Sequence, residues 1–429
     1  LKFYSLKNKG ERVDFKRSVI KGLAPDGGLY FPVSIPSLDP EFIHEIAHLE
    51  NEEIAFQVLA PFVHENIPFR ELNKIIRETL NFSIPVVEIS ENIHALELYH
   101  GPTLAFKDVG ARFMSRCLGY FVKKGKEVVV LVATSGDTGS AVANGFLGVE
   151  GVKVVVLYPH GKVSSVQEKQ FASLGQNISS IAIEGTFDDC QALVKQAFQD
   201  KELNKQINLS SANSINTARW LPQSIYYFLA YKQLAQFKRP ISFSVPSGNL
   251  GNVTAGVLAM KMGLPISKFV IASNANKVIP DFIQTGEYLA RKSVQTIANA
   301  MDVGDPSNFT RLLALFQNDY DSILQKIISI SYSDDQIRQT ITDCHEQYGY
   351  LLDPHGATGY LSLKELLPNE LGVFLETAHP AKFGESIRPL GIEVPIPASL
   401  QKFLKREVNS QKQSNSFPEF KNYLLANHG

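Results

Sequence analysis

The segment His100–Gly110, HGPTLAFKDVG, sets one lysine, Lys107, between an apolar run and an acid. An ammonium among apolar neighbours loses hydration. Desolvation disfavours its charged form, and the neutral amine that results can attack a carbonyl. That is the chemistry of a Schiff-base lysine. A lysine whose stem covers apolar surface while its head reaches water fits the same residues, so the segment alone does not decide. Two further loops bear on the choice. VVVLVATSGDTGS, Val128–Ser140, reads as a buried β-branched strand, a small-residue turn and the start of a helix. SFSVPSGNLGN, Ser242–Asn252, repeats that order and runs into the helix-like VTAGVLAMKMG. Such a turn aims backbone N–H groups and a positive helix end at an anion. Neither loop has the lysine of GxxxxGK[ST], and neither is GxGxxG. Singly, each is equally a tight strand-to-helix turn. Together with Lys107 they describe a carbonyl-reactive amine with two anion cradles, one for a cofactor phosphate and one for a substrate anion.

The elements that would position these groups follow from the pattern of the chain. Val128–Ala133, Val152–Leu157 and Ile178–Ile183 read as strands. Thr138–Leu147, Val163–Leu174 and Phe187–Phe198 read as helices between or after them. Alternation of this kind predicts an α/β fold with parallel sheets. A longer helical stretch is expected over Ala218–Phe237, and a second α/β run begins at Ile241. Residues 1–92 read as an N-terminal unit, 93–240 as a smaller α/β subdomain, and 241–429 as a larger one that shares the segment 93–110. KREVNSQKQSNSFPEF, from Lys405, is the most linker-like stretch.

Composition sets bounds. At 429 residues the chain exceeds one ordinary core, and its 44% hydrophobic content can fill a large interior. A formal net charge of −1 gives no electrostatic footprint for nucleic acid. No apolar run approaches the ~18 residues of a membrane span. Cys117, Cys190 and Cys344 are too few and too scattered for a disulfide framework or a zinc site, and fit a reducing cytoplasm.

His44–Glu45–Ile46–Ala47–His48 is HExxH, which on one helix puts two imidazoles on one face beside a glutamate base. It defines a rival reading, a zinc metalloprotease. No downstream third ligand is evident, and the sequence predicts the exposed face of a helix with no metal.

HGPTLAFKD, ATSGDTG, PSGNLGN and ETAHPAKF together resemble the signatures of threonine synthase. This is a pyridoxal-phosphate (PLP) family of fold type II, related to the tryptophan synthase β chain. The resemblance is to its shorter bacterial and fungal branch. It runs from KFYSLKN and GLAPDGGLYFP through GTFDDCQALVKQAF, SSANSIN and NAMDVGDPSN to the terminal region. It implies two α/β subdomains around the cofactor. Lys107 would carry PLP and then shuttle protons. Gly248, Asn249, Leu250, Gly251 and Asn252 would hold its phosphate, with glycine where a Cβ would block close approach. Thr377 would face the pyridine nitrogen; read without the resemblance it is a turn hydroxyl at a strand end. Thr134, Ser135 and Thr138 would grip a substrate carboxylate, with Asp137 near the cofactor's 3′-oxygen. An anion beside a phenolate is unfavourable unless a proton is shared, so the role of Asp137 stays open. Asn213, Ser214 and Arg219 match residues around a substrate phosphate, which an arginine fork suits. Lys162 and Gln167 would line the same region, though Lys162 is equally a solvated lysine at a helix start.

The implied reaction turns O-phospho-L-homoserine and water into L-threonine and phosphate, by γ-elimination and β-addition of water, with Lys107 as the base near Cα, Cβ and Cγ. A phospholyase releasing 2-oxobutyrate, ammonia and phosphate shares the early steps. The branch implies a monomer.

Overall fold

The six residues Val128–Ala133 are buried at every position. Val128, Val130 and Val132 join one hydrophobic cluster, while Val129, Leu131 and Ala133 join another. Side chains alternate across a strand, so an unbroken apolar run has both faces covered, as in a parallel sheet between helices. A computed structural model describes residues 1–122 and 127–429 of the chain. In chain order its strands are β1 (Phe3–Ser5), β2 (Arg12–Val13), β3 (Tyr30–Pro32), β4 (Val86–Ser90), β5 (Ile93–Glu97), β6 (Val128–Ala133) and β7 (Val152–Pro159). They continue with β8 (Ile178–Glu184), β9 (Leu209–Ser211), β10 (Ile241–Pro246), β11 (Ile266–Ser273), β12 (Ile327–Ser331), β13 (Gly372–Glu376) and β14 (Gln411–Ser414).

They form a small three-stranded sheet ordered β2-β1-β3, a six-stranded sheet β12-β11-β10-β13-β5-β4 and a five-stranded sheet β14-β8-β7-β6-β9. The five-stranded sheet is parallel throughout. The six-stranded one is parallel except for the β4–β5 pair. The expected α/β class with parallel sheets is thus observed. The strands expected at 128–133, 152–157 and 178–183 are present, as are the three helices, at Asp137–Phe146, Ser165–Ala172 and Phe187–Gln199. The last begins on a capping box in which Thr186 and Asp189 bond each other's backbone N–H.

Three expectations are corrected. Val86 pairs with Leu96, so β4 belongs to the six-stranded sheet and not to an N-terminal unit ending at residue 92. The linker-like stretch contains β14, whose Gln411 lies against Ile181 of β8. The helix Phe417–His428 then buries Phe420 and Leu424 in the core of the five-stranded sheet. The chain's end therefore returns to the smaller sheet and is not part of the larger one. Its polar composition is that of an edge strand, where only Gln413 points inward. The helix expected over Ala218–Phe237 is split by a 3-10 turn at Leu221–Ser224 containing Pro222, because proline cannot donate to a helix ladder.

The HExxH pentapeptide does not lie on one helix. The helix Pro40–Glu45 stops inside it and a 3-10 turn covers Ile46–His48. His44 is exposed and bonds its neighbour Glu45 at 2.7 Å. Among the described residues no group of three His, Cys, Asp or Glu is placed to hold a metal, so the metalloprotease reading loses its geometric premise. Among the described residues no helix is long and apolar enough to cross a membrane.

Candidate active site

In parallel sheets, ligands gather at the carboxyl ends of strands, where loops turn into helices and leave N–H groups unpaired. Here the ends of β5, β6, β9, β10 and β13 all open on one cleft of about 950 Å³, its mouth included. It is lined by Lys107, Thr134, Ser135, Thr138, Asn213, Ser214, Arg219, Gly248, Asn249, Leu250, Gly251, Asn252 and Thr377. Residues spread over 270 positions of sequence thus meet in one place. Asp137 sits beneath the cleft wall, buried. Lys162 does not line the cleft and is exposed after β7. Gln167 is buried behind the wall and acts through Asp137, to which it donates at 2.8 Å.

Lys107 is the first residue of the helix Lys107–Phe121. The approach to it is pinned to the end of β13: Phe106 N–H donates to Thr377 O at 2.8 Å, and Ala105 bridges Ala378. Leu104, with φ 58°, makes the tight turn that delivers it, a left-handed conformation costly for a residue with a Cβ and typical of a functional site. Burial lowers the lysine's affinity for its proton. Asp137 opposes this and the Lys382 and Arg219 charges add to it, so the amine is pushed down to about 8. At pH 7.5 roughly a quarter of it is neutral, against roughly one part in a thousand for an ordinary lysine. The Lys107 side chain is half-buried in the cleft.

The loop Gly248–Asn252 is a cradle for an anion. Gly248, Asn249 and Leu250 donate their N–H groups to no acceptor among the described residues. Leu250 adopts φ 57° and opens the helix Gly251–Lys261, whose first free N–H groups continue the set. A Cβ on Gly248 would stand 2.8 Å from the Met301 backbone, so the loop can close on its neighbour only with glycine there. Asn252 accepts from the Tyr227 hydroxyl at 2.6 Å, and its buried Nδ2 has no partner. A donor left free at a helix start fits the phosphate of PLP.

The Asn213–Arg219 segment brings a different kind of donor. Arg219 is 3% exposed. It gives a hydrogen bond to Ala212 O, leaves Nε unpartnered and pairs with no carboxylate among the described residues. Burial lowers it to about 10, with Tyr226 and Asp108 opposing, so it stays charged at neutral pH. Ser214 Oγ accepts from Asn249 and Asn308 at 3.0 and 3.1 Å, which leaves its own proton free to give. Thr134 Oγ1 accepts from Gly136 N and Gly139 N at 2.9 and 2.8 Å, which shapes the turn that presents Ser135 and Thr138. The hydroxyl of Thr377 has no partner among the described residues.

Several residues without a role in the sequence reading complete the site. Asn299–Val303 forms one wall. Ala300 N–H donates to His355 Nε2 at 3.1 Å, and the other ring nitrogen meets Asp353 at 2.5 Å, so Nδ1 is the ring nitrogen that donates to Asp353. Asn308 donates to Asn249 O at 2.9 Å, so the GDPSN stretch braces the cradle. Arg311, 0% exposed, donates to the carbonyls of Ser214 and Ile215. The NAMDVGDPSN motif was visible in the sequence, but no periodicity or charge said which way it faced.

The comparisons with known proteins agree with this geometry. The family model described as "Pyridoxal-phosphate dependent enzyme" matches residues 81–373, and "Threonine synthase N terminus" matches residues 2–80. A threonine synthase of Haemophilus influenzae is 45% identical over 99% of this chain and 100% of its own. The crystal structure of threonine synthase from Escherichia coli has a TM-score of 0.95 and 41% identity, covering 99% of this chain and all of that one. A PLP-bound threonine synthase from Brucella melitensis has a TM-score of 0.92 and 34% identity, covering 100% and 99%. Buried free donors at a glycine cradle, a desolvated lysine opposite it and full-length similarity lead to one conclusion: this chain is a PLP-dependent lyase and belongs to the threonine synthase family.

Proposed function

We propose that the enzyme's substrate is O-phospho-L-homoserine, and that it releases L-threonine and phosphate. The observation that carries this reading is Arg219: a buried guanidinium with no carboxylate partner among the described residues, in the same cleft as the glycine cradle but on another loop. One anion site suffices for the cofactor; a second, with a fork of donors, suits a phosphorylated substrate.

Bound PLP supplies an electron sink for negative charge developing on substrate carbon. The chain's own groups do the rest. Thr134, Ser135 and Thr138 hold the carboxylate on the helix start of Asp137–Phe146. Asn213, Ser214 and Arg219 hold the leaving phosphate. Lys107 would serve as the base at Cα, Cβ and Cγ, and its depressed proton affinity suits both taking and returning a proton near neutral pH. Thr377, which lines the cleft, would give the pyridine nitrogen of bound PLP a neutral neighbour that does not enforce its protonation. Lys162 takes no part in this reading, because it lies outside the cleft. The reading also takes the enzyme as a cytoplasmic monomer; Cys117, Cys190 and Cys344 are all buried free thiols.

The test is product analysis on purified protein supplied with PLP and O-phospho-L-homoserine. Threonine and phosphate should accumulate in equal amounts. Phosphate with 2-oxobutyrate and ammonia would keep the cofactor and leaving-group roles but replace the synthase by a phospholyase. No turnover by PLP-loaded protein would remove the substrate.

A further inference from the structure

Lys382 sits in the 3-10 turn Pro380–Phe383 that follows β13. Its side chain is 0% exposed, which is rare for lysine unless it is paired. The Nζ lies 2.6 Å from Asp137 Oδ1 and donates to Thr103 O at 2.8 Å. One ammonium therefore joins three segments: the loop after β13, the loop ahead of Lys107, and the helix start after β6. A buried ion pair is weak evidence for stability, since well-packed apolar side chains often do as well. Its position beside the reactive amine points to another use.

The charges around Lys107 are Asp137, Lys382 and Arg219. Asp108, next in sequence, is buried and held by the Thr103 N–H and hydroxyl; burial raises it, and Lys382 is among the charges that lower it. His379 feels the Lys382 charge, and the Tyr226 hydroxyl donates to the carbonyl of Phe106, the residue before Lys107, at 2.5 Å. Among the described residues, Asp137 is the only carboxylate whose charge acts on Lys107. Burial works against its ionisation, but Lys382, Lys107 and the hydrogen bonds from Lys382 and Gln167 outweigh that and hold it well below the usual carboxylate range. We propose that Lys382 is a positioning residue for the cofactor-bearing lysine: it engages the Asp137 carboxylate so that this anion cannot turn onto Lys107 and keep its nitrogen protonated. This rests on the reading that Lys107 carries PLP.

The sign follows. Without the Lys382 charge, Asp137 is left with Lys107 as its nearest cation, and an opposite charge at such range raises a lysine's proton affinity by roughly one unit or more. The experiment is a pH titration of the visible absorbance of the PLP-loaded holoenzyme, with folding checked by thermal unfolding. Lys382→Met should move the midpoint up by about one unit or more, and Lys382→Arg, which keeps the charge, should move it by only a few tenths. Asp137→Asn, with Lys382 intact, should move it down, and serves if Lys382→Met does not fold. The double variant should lie below Lys382→Met. Identical profiles in folded wild type and variants would overturn the proposal, as would a double variant as raised as Lys382→Met. Lys107→Ala separates the two readings: if its covalent band persists, the assignment of Lys107 itself has failed, whatever Lys382 does.

Discussion

Replacing Lys107 by alanine is expected to abolish the covalent absorbance of bound PLP and to lower turnover by at least about 10²–10⁴-fold. The loss should exceed what cofactor binding alone explains, because the cradle of residues 248–252 is untouched by the change. PLP should still enter, held by its phosphate, and remain exchangeable. The wild-type amine should capture free PLP faster as pH rises through about 8 and level off above it, because burial sets the proton affinity of Lys107 there. A lysine at its ordinary value would keep gaining rate well beyond that. A persistent covalent band in the variant would transfer the role to another lysine. Lys382 is one rival, but Asp137 Oδ1 and Thr103 O already hold its Nζ.

The second large effect is at Arg219. Arg219→Ala should reduce kcat/KM for O-phospho-L-homoserine about 10–100-fold, the usual cost of a charge-assisted contact of about 1.5–3 kcal/mol. PLP affinity should change far less, because the phosphate cradle uses backbone N–H groups and Asn252. Arg219→Lys should recover only part of the loss, since an ammonium lacks the planar fork. The helix Lys107–Phe121 passes close by: a Cβ on Gly110 would come within 2.8 Å of Arg219 O. A structural arginine in that spot would lose cofactor and substrate binding alike when truncated. That parallel loss is the result that would take Arg219 out of the phosphate site.

What the sequence revealed about this site follows the physics of local pattern. Val128–Ala133 could be read as a strand because all six side chains are apolar and β-branched residues dominate. The loops after it and after β10 could be read as anion cradles because glycine and small polar residues at a strand-to-helix turn have few other uses. Lys107 stood out through its immediate neighbours. Lys382 did not, although it lies in a recognised motif. Its partner Asp137 is 245 positions away, and only the fold shows that a lysine after β13 is buried against it. The same holds for His355, whose contact with Ala300 depends on the helix Pro354–Leu366 and the wall 299–303 being brought together. Lys162 shows the opposite error: a motif can carry a basic residue into the right neighbourhood while the side chain stays in solvent. The stretch from Lys405 misled because an edge strand with one inward residue has the composition of a linker. The open question about Asp137 has a physical answer in Lys382, a counter-charge that no local reading of TSGDTG could supply.

In the proposed reaction phosphate leaves by elimination from carbon, and water then adds at Cβ. Turnover of O-phospho-L-homoserine in ¹⁸O-labelled water separates this from hydrolysis at phosphorus, with both products read by mass spectrometry. Elimination and hydration should give threonine carrying one ¹⁸O in its side-chain hydroxyl and phosphate carrying none. Labelled phosphate together with unlabelled homoserine would show attack of water at phosphorus, and would contradict the proposed reaction.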